Sequence, residues 1–361
     1  MTAQRLGPRP LANILEITPY KGGEKPETGH KLSSNENPLG AAPAVHAALE
    51  KAAENLALYP DGGCGKLRAS IASTHGLDAD RIVCGAGSDE LFQLLGRAYL
   101  APGDQIVQSA HGFLVYSLVA QQSGAEIALA PERDYTADVD AMLERVGPKT
   151  RIVFLANPNN PTGTYIPHSE VKRLHAGLPE DVLLVLDGAY AEYVRRNDYS
   201  SGLELAAEMP NVLMTRTFSK IHGLAALRLG WAYGPASVID AINRVRGPFN
   251  VSSLAQAAGI AALEDRDFVD RSVHHNEAEL ERVSAALAGL GLETVPSVGN
   301  FVLVNFGDAE RAAAADAYLR ARNIYLRGMA AYRLPTCLRL SIGTTEANDA
   351  VMDAFTAFQA G

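Results

Sequence analysis

Between residues 82 and 233, short apolar runs rich in β-branched side chains alternate with segments of helical periodicity. Strands that alternate with helices are typical of a mostly parallel sheet that helices cover on both faces. The pattern therefore predicts an α/β fold with such a sheet at its centre. The runs that have the length and composition of strands are 82–84, 105–108, 126–129, 151–155, 182–186, 212–214 and 231–233.

The hydrophobic pattern changes on both sides of this region. Glycine, proline and asparagine turns fill the first 40 residues, and alanine-rich helical spacing follows over 41–58. After a series of predicted helices over 236–290, apolar runs at 301–304, 324–326 and 338–342 alternate with two helical segments. A chain of 361 residues exceeds what one core usually supports. We therefore predict three parts, which are an N-terminal arm (1–40), a large domain (41–248) and a smaller α/β domain (249–361).

Composition narrows the class of partner. The net charge of −9 and the absence of a basic run disfavour a nucleic acid or an anionic membrane, so a small-molecule substrate is expected. Three scattered cysteines without a CxxC pair indicate reduced thiols rather than a disulfide framework or a metal site. No apolar run reaches the roughly 18 residues that a membrane span needs. We expect a soluble, cytoplasmic protein without a metal.

The end of the sixth predicted strand leads to a lysine in apolar surroundings. Phe218 and Ile221 flank Lys220, and partial desolvation would leave more of its amine uncharged for attack on a carbonyl. Ser219 and Arg228 offer a hydroxyl and a guanidinium group that suit a phosphate. The sequence thus indicates a phosphorylated aldehyde, pyridoxal 5′-phosphate, as cofactor. A surface lysine on a loop is the alternative interpretation.

Ligands of parallel sheets bind at the carboxyl ends of the strands, and three more strand ends carry suitable groups. Gly85-Ala-Gly-Ser88 opens a helix whose free N–H groups would hold an anion. Asn160 follows another strand, and Asp187 and Tyr190 follow the next. A buried Asp187 needs a cationic partner such as a protonated pyridine nitrogen, while Asn160 and Tyr190 suit a phenolic oxygen. Taken singly, these groups are also ordinary helix caps and turns.

The motifs around these residues, and their order along the chain, resemble those of the fold-type-I aminotransferases that use pyridoxal 5′-phosphate. They resemble most of all the histidinol-phosphate aminotransferase branch of that family. The resemblance runs over nearly the whole chain. Three motifs carry it, namely Thr217-Phe-Ser-Lys-Ile-His-Gly-Leu-Ala-Ala-Leu-Arg228, Asn159-Asn-Pro-Thr-Gly163 and Asp187-Gly-Ala-Tyr190.

The resemblance implies a role for each cofactor-binding residue. Lys220 would bond covalently to the cofactor aldehyde and act, with Asp187 and Tyr190, in catalysis. It also implies a homodimer in which a tyrosine of each subunit reaches the other subunit's site. The cofactor contacts implied are Asp187 with the ring nitrogen, Asn160 and Tyr190 with the ring oxygen, Phe113 stacked on the ring, and Gly87, Ser88, Ser219, Arg228 and the partner-facing Tyr59 around the phosphate.

The substrates implied are histidinol phosphate and the 2-oxoglutarate and glutamate pair, in histidine biosynthesis. Arg327 and Arg339, on neighbouring predicted strands, would bind the substrate anions, with Tyr20 and Asn35 of the arm nearby. Arg327 in a surface ion pair is the alternative. For the whole protein, an aromatic amino-acid aminotransferase is the closest alternative function. A decarboxylase of a phosphorylated amino acid and a regulator that binds the cofactor without turnover are others.

Two residues depart from the family's pattern. Gly188 stands where glutamate is usual, and because that side chain is not a cofactor contact we expect only a local effect. A looser turn at Asp187 is the alternative. Phe113 stands where many relatives have tyrosine, so ring stacking is expected without a hydroxyl contact.

Overall fold

The computed structural model describes residues 8–19, 22–23 and 26–360. Its strands are β1 His30–Lys31, β2 Ile82–Gly85, β3 Gln105–Ser109, β4 Glu126–Ala130, β5 Glu132–Arg133, β6 Thr136–Ala137, β7 Thr150–Ala156, β8 Leu183–Asp187, β9 Val212–Thr217, β10 Gly230–Tyr233, β11 Glu293–Val295, β12 Phe301–Asn305, β13 Ile324–Tyr325, β14 Arg327–Gly328 and β15 Cys337–Ser341. Its helices are α1 Ala12–Leu15, α2 Pro43–Ala53, α3 Gly65–His75, α4 Ser88–Tyr99, α5 Leu114–Ser123, α6 Val139–Glu144, α7 His168–Ala176, α8 Leu203–Glu208, α9 Ala236–Val245, α10 Ser253–Glu264, α11 Arg266–Gly289, α12 Ala309–Arg320 and α13 Thr345–Ala360.

The seven runs predicted from the sequence form one sheet, in the order β2-β10-β9-β8-β7-β3-β4. Strands β4, β3, β7, β8 and β9 pair in parallel, and β10 runs antiparallel to both of its neighbours. All five residues of the central strand β8 are buried, because apolar clusters cover both faces of the sheet. The predicted α/β fold with a mostly parallel sheet is confirmed.

Helix α2 is shorter than the predicted helix 41–58. It ends at Ala53, and short turns follow, in which Asn55 N–H donates to the Ala52 carbonyl. The side chains of Leu56 and Leu58 are exposed, so no apolar packing stabilises a further helical turn there.

A second, smaller sheet has the order β11-β12-β15-β14, and its pairs are antiparallel. The predicted strand 324–326 is wrong as a single element. Its first two residues form β13, which pairs with the arm strand β1, and the chain joins the small sheet only from Arg327 onward. The change of partner follows from the arm segment occupying the edge beside Ile324 and Tyr325.

Helix α10 follows residue 248 in the chain but packs on α2 and α3, and its alanines belong to the same apolar cluster as the large sheet. The boundary near residue 248, between the large and small domains, stays a prediction.

Within the described ranges, no helix combines the length and apolar character that a membrane crossing requires. Cys64, Cys84 and Cys337 are buried free thiols. The same residues contain no cluster of three or more His, Cys, Asp or Glu side chains arranged to hold a metal ion.

Candidate active site

The carboxyl ends of β7, β8 and β9 open onto a cavity of about 190 Å³, which β14 and β15 of the small sheet close from the other side. Residues predicted from separate parts of the sequence meet there. Those lining the cavity are Asn35, Ser88, Phe113, Asn160, Asp187, Tyr190, Ser219, Lys220, Arg228, Arg327 and Arg339.

Lys220 lies in the loop that follows β9 and points into the cavity. Its Nζ donates a hydrogen bond to the backbone carbonyl of Ser34, at 3.1 Å. Burial lowers the pKa of Lys220 to about 8, and the positive charge of Arg339 adds to this effect. Roughly a tenth of this amine is therefore uncharged at pH 7, far more than for a surface lysine.

Asp187 ends the buried strand β8. Its Oδ2 accepts a hydrogen bond from the hydroxyl of Tyr116 at 2.6 Å, and its Oδ1 accepts from Thr215 Oγ1 and from the Ala189 N–H. Burial raises the pKa of Asp187 to about 6 in spite of these hydrogen bonds. The carboxylate is thus placed where a cationic partner in the cavity would stabilise it.

Tyr116 was not predicted from the sequence. It lies 71 residues before Asp187, in the first turn of α5, and its ring stacks on Phe154 with centroids 4.5 Å apart. An aromatic residue at a helical position normally indicates core packing, so no sequence signal distinguishes its hydroxyl contact.

Tyr190 and Asn160 line the cavity together with Asp187. The hydroxyl of Tyr190 accepts a hydrogen bond from Asn35 Nδ2 at 2.9 Å, and the side-chain oxygen of Asn160 accepts one from Arg339. Burial raises the pKa of Tyr190, so its hydroxyl keeps its proton and remains able to donate a hydrogen bond. Both side chains can therefore donate to one ligand oxygen.

The opposite end of the cavity suits an anion. Gly87 has a φ of 86° and immediately precedes α4, whose first residue is Ser88. Arg228 Nη1 donates to Ser219 Oγ at 3.2 Å, and its Nη2 lies 3.4 Å from Asp89. A Cβ added to Gly87 would lie 2.5 Å from Arg228 Nη2, so the guanidinium group needs glycine there. The helix N-terminus and this guanidinium together form a site for a phosphate.

Two neighbouring arginines of the small sheet also line the cavity. Arg327 on β14 and Arg339 on β15 are paired residues of the antiparallel ladder. Arg339 is buried and donates to the Ser33 carbonyl at 2.8 Å, whereas Arg327 is partly exposed. Two guanidinium groups at one wall suit a phosphate or a carboxylate.

Of the predicted residues that the structure describes, Gly87 and Tyr59 do not line the cavity, although Gly87 directly precedes Ser88, which does. Tyr59 is 82% exposed, and its ring stacks on that of Phe249 with centroids 4.7 Å apart. Tyr20 lies outside the described residues.

A backbone hydrogen bond holds the turn after β8 at Gly188. Its N–H donates to the Thr215 carbonyl at 2.9 Å, and an added Cβ would lie 3.3 Å from Arg216 Cδ. The backbone contact to β9 thus holds the residue that follows Asp187. Phe113, the other departure from the family's pattern, contacts the Tyr116 ring edge-on at 5.7 Å.

With this geometry in view, the comparisons with known proteins identify the family. A model described as aminotransferase class I and II matches residues 27–355, and the chain belongs to this family. Histidinol-phosphate aminotransferase of Maricaulis maris (strain MCS10) is 57% identical, over 97% of this chain and 98% of its own length. The protein of the same name from Rhodopseudomonas palustris (strain HaA2) is 52% identical, over 98% and 99%.

Solved structures of aminotransferases have the same fold as this chain. Histidinol-phosphate aminotransferase from Sinorhizobium meliloti, in complex with pyridoxal 5′-phosphate, superposes with a TM-score of 0.92 at 29% identity and covers 99% of both chains. A Thermus thermophilus aspartate aminotransferase double mutant, 20% identical, covers 98% of this chain and 99% of its own with a TM-score of 0.84, which shows a shared fold. The expected fold type is confirmed.

Proposed function

We propose that this aminotransferase uses pyridoxal 5′-phosphate to transfer an amino group between histidinol phosphate and 2-oxoglutarate, as a step of histidine biosynthesis. The products are imidazole-acetol phosphate and glutamate. The paired Arg327 and Arg339, in the same cavity as Lys220, carry the proposal, because one site must accept a phosphate-bearing donor and a dicarboxylate. The relatives named above support it through their identity to this chain.

The residues present fit this cofactor. The glycine turn at Gly87 and the Arg228 guanidinium suit its phosphate, and the buried Asp187 suits its ring nitrogen. Lys220, whose amine is partly uncharged at neutral pH, suits its aldehyde. Tyr190 and Asn160 would hold the ring oxygen.

The same residues account for the proton transfers. Pyridoxal 5′-phosphate, when bound, supplies an electron-withdrawing ring that accepts the electron pair left when a substrate Cα–H bond breaks. Asp187 keeps a proton on the ring nitrogen, because an unpaired buried carboxylate is unfavourable. The Nζ of Lys220, with a pKa near 8, would be suited to remove the Cα proton of the substrate and to deliver it to carbon C4′ of the cofactor.

The arginines divide the recognition of the two substrates. Arg339 is buried and held by Asn160 and the Ser33 carbonyl, so it is oriented for any anion that enters the site. Arg327 is partly exposed and adds a second positive charge. A dianionic phosphate would use both guanidinium groups, whereas a glutamate carboxylate, with a single negative charge, would be satisfied mainly by one of them.

The proposal includes a cytoplasmic homodimer with shared sites. Tyr59 and Phe249 form an exposed aromatic pair away from their own chain's cavity, with Leu56 and Leu58 also exposed beside Tyr59 in the sequence. A second copy of the chain would cover this surface, and Tyr59 would reach that copy's phosphate. The three reduced cysteines support a cytoplasmic location.

Steady-state kinetics with 2-oxoglutarate as acceptor test the function. We expect kcat/KM for histidinol phosphate to exceed that for phenylalanine, and a preference for phenylalanine would favour an aromatic amino-acid aminotransferase. In Arg327→Ala, loss of a charge-assisted contact of about 1.5–3 kcal/mol should lower kcat/KM for histidinol phosphate about tenfold or more. The loss should be smaller for glutamate, whose half-reaction with the cofactor-loaded enzyme is followed by absorbance without 2-oxoglutarate. Arg339→Ala should impair both donors. Equal losses for both donors in Arg327→Ala would contradict the division of roles.

A further inference from the structure

Outside the active site, two cysteines from different elements meet. Cys64 immediately precedes α3 with a φ of 52°, and Cys84 lies within β2. Each is 3% exposed, both belong to the same apolar cluster, and each thiol shifts the pKa of the other. Both line a second cavity of about 280 Å³, together with Arg68 and Arg246.

The two thiols differ in their chemistry. The Cys84 thiol lowers the pKa of Cys64, and the nearby Arg246 and Arg68 act in the same direction. The Cys64 thiol and complete burial raise the pKa of Cys84. Cys64 is thus the thiol more readily ionised, and Cys84 is the protonated neighbour within reach of it. A reactive thiol beside a second thiol is the arrangement that allows oxidation to stop at a disulfide.

We propose that Cys64 and Cys84 form a reversible dithiol–disulfide pair that a hydroperoxide oxidises. The Cys64 thiolate attacks the peroxide, the O–O bond breaks, and Cys64 becomes a sulfenic acid as an alcohol or water leaves. The Cys84 sulfur then attacks the Cys64 sulfur, and the hydroxyl group leaves as water with the Cys84 proton. The two thiols together lose two electrons, and the hydroperoxide gains them.

The bond would join two segments that flank the active site. Cys64 follows the turn at Asp61, whose carboxylate accepts hydrogen bonds from the N–H groups of Gly63 and Gly65. Cys84 is followed by the glycine turn that leads into α4 at the phosphate end of the cavity. The disulfide would therefore link the 61–64 turn covalently to the strand that carries the phosphate site.

The third cysteine provides a matched control. Cys337 is also buried, and its pKa is raised by burial, but its thiol contacts the hydroxyl of Thr336, at 3.6 Å. It lies in β15 of the small sheet. The same oxidant should leave this thiol reduced.

The test is to treat the folded protein with hydrogen peroxide, block the remaining thiols after unfolding, and map non-reduced tryptic peptides. We expect residues 52–66 to be joined to residues 82–97 with loss of two hydrogens, and residues 334–339 to carry a free thiol. Titratable thiols should fall from three to one per chain, and dithiothreitol should restore them. The joined peptides should be absent in Cys64→Ser and in Cys84→Ser, and present in Cys337→Ser.

Wild-type protein that keeps three titratable thiols after treatment, or that gains sulfinic acid on Cys64 without joined peptides, would overturn the proposal. The melting temperature gives an independent readout. An unstrained bond restricts the unfolded chain, so the oxidised wild type should melt higher than the reduced form, while Cys64→Ser should not change on treatment. A lower melting temperature after oxidation would show that the bond does not form within the native fold.

Discussion

The carboxyl group of Asp187 is buried, and burial raises its pKa to about 6, from the 3.8 that is usual for an aspartate side chain. Because the folded protein holds this proton more tightly than the unfolded chain, the stability of the cofactor-free protein falls as pH rises through this interval. The Asp187 carboxylate thus destabilises the folded, cofactor-free protein until a cationic cofactor ring is bound beside it.

We therefore expect Asp187→Asn to stabilise the cofactor-free protein against unfolding at pH 7 by roughly 2–3 kcal/mol, while nearly abolishing turnover. The gain should be small near pH 4 and should grow as pH rises to 7, as measured by urea denaturation at each pH. Asp80→Asn serves as control, because that side chain is 94% exposed. A gain that does not change with pH would show that the Asp187 carboxylate is not unfavourably buried.

The lowered pKa of Lys220 predicts how the rate of cofactor uptake depends on pH. Only the uncharged amine attacks an aldehyde, so the rate at which cofactor-free protein takes up pyridoxal 5′-phosphate should rise with pH to a midpoint near 8. The rate is followed by absorbance, and borohydride reduction should fix the label on Lys220. A midpoint near that of an ordinary lysine, about 10.4, would mean that the amine is not desolvated.

At the scale of elements, the phosphate end depends on how β2 passes into α4. Gly87 has a positive φ and no room for a Cβ beside Arg228, and a Cβ on Gly230 of β10 would lie 2.5 Å from the Ser88 nitrogen. A glycine in the turn after β2 and a glycine on the neighbouring strand β10 thus let the helix N-terminus and the guanidinium group come together.

Gly87→Ala should weaken the binding of pyridoxal 5′-phosphate about tenfold or more, because displacing Arg228 removes a charge-assisted contact of about 1.5–3 kcal/mol. Equilibrium titration of cofactor-free protein measures the loss. Gly103→Ala controls for backbone strain, because Gly103 has a φ of 90° and its added Cβ would meet nothing within 4 Å. Equal weakening in both variants would mean that strain, and not the clash with Arg228, is responsible.

At the scale of the whole molecule, the proposed dimer makes each site depend on both chains. Tyr59 is exposed on its own chain, and Lys220 lies in that chain's cavity. In a hybrid of Tyr59→Ala and Lys220→Ala chains, one site would combine an intact Lys220 with an intact Tyr59 from the partner.

Mixing the two inactive variants under conditions of subunit exchange should restore about a quarter of wild-type activity, since half of the dimers are hybrids with one intact site each. Differently tagged chains allow hybrids to be isolated and assayed. Hybrids as inactive as either parent would exclude a role of Tyr59 across the interface.

The sequence by itself determined the features that local patterns encode. Apolar runs of strand length gave the seven strands of the large sheet, because β-branched residues and the turns between them act over a few neighbouring positions. The residues at the strand ends, such as Lys220 and Asp187, followed from one rule of parallel sheets, since these ends share an edge.

Only the tertiary structure decided the contacts between distant segments. The hydrogen bond from Tyr116 to Asp187 joins residues 71 apart, and that from Asn35 to Tyr190 joins residues 155 apart. The partner of Ile324 is an arm strand nearly 300 residues earlier in the chain, while Arg327 pairs with Arg339. Such pairs depend on how whole elements pack, and hydrophobic periodicity carries no information on which distant side chains then meet. The pKa values of Lys220 and Asp187 follow from that packing, because burial is a property of the assembled site.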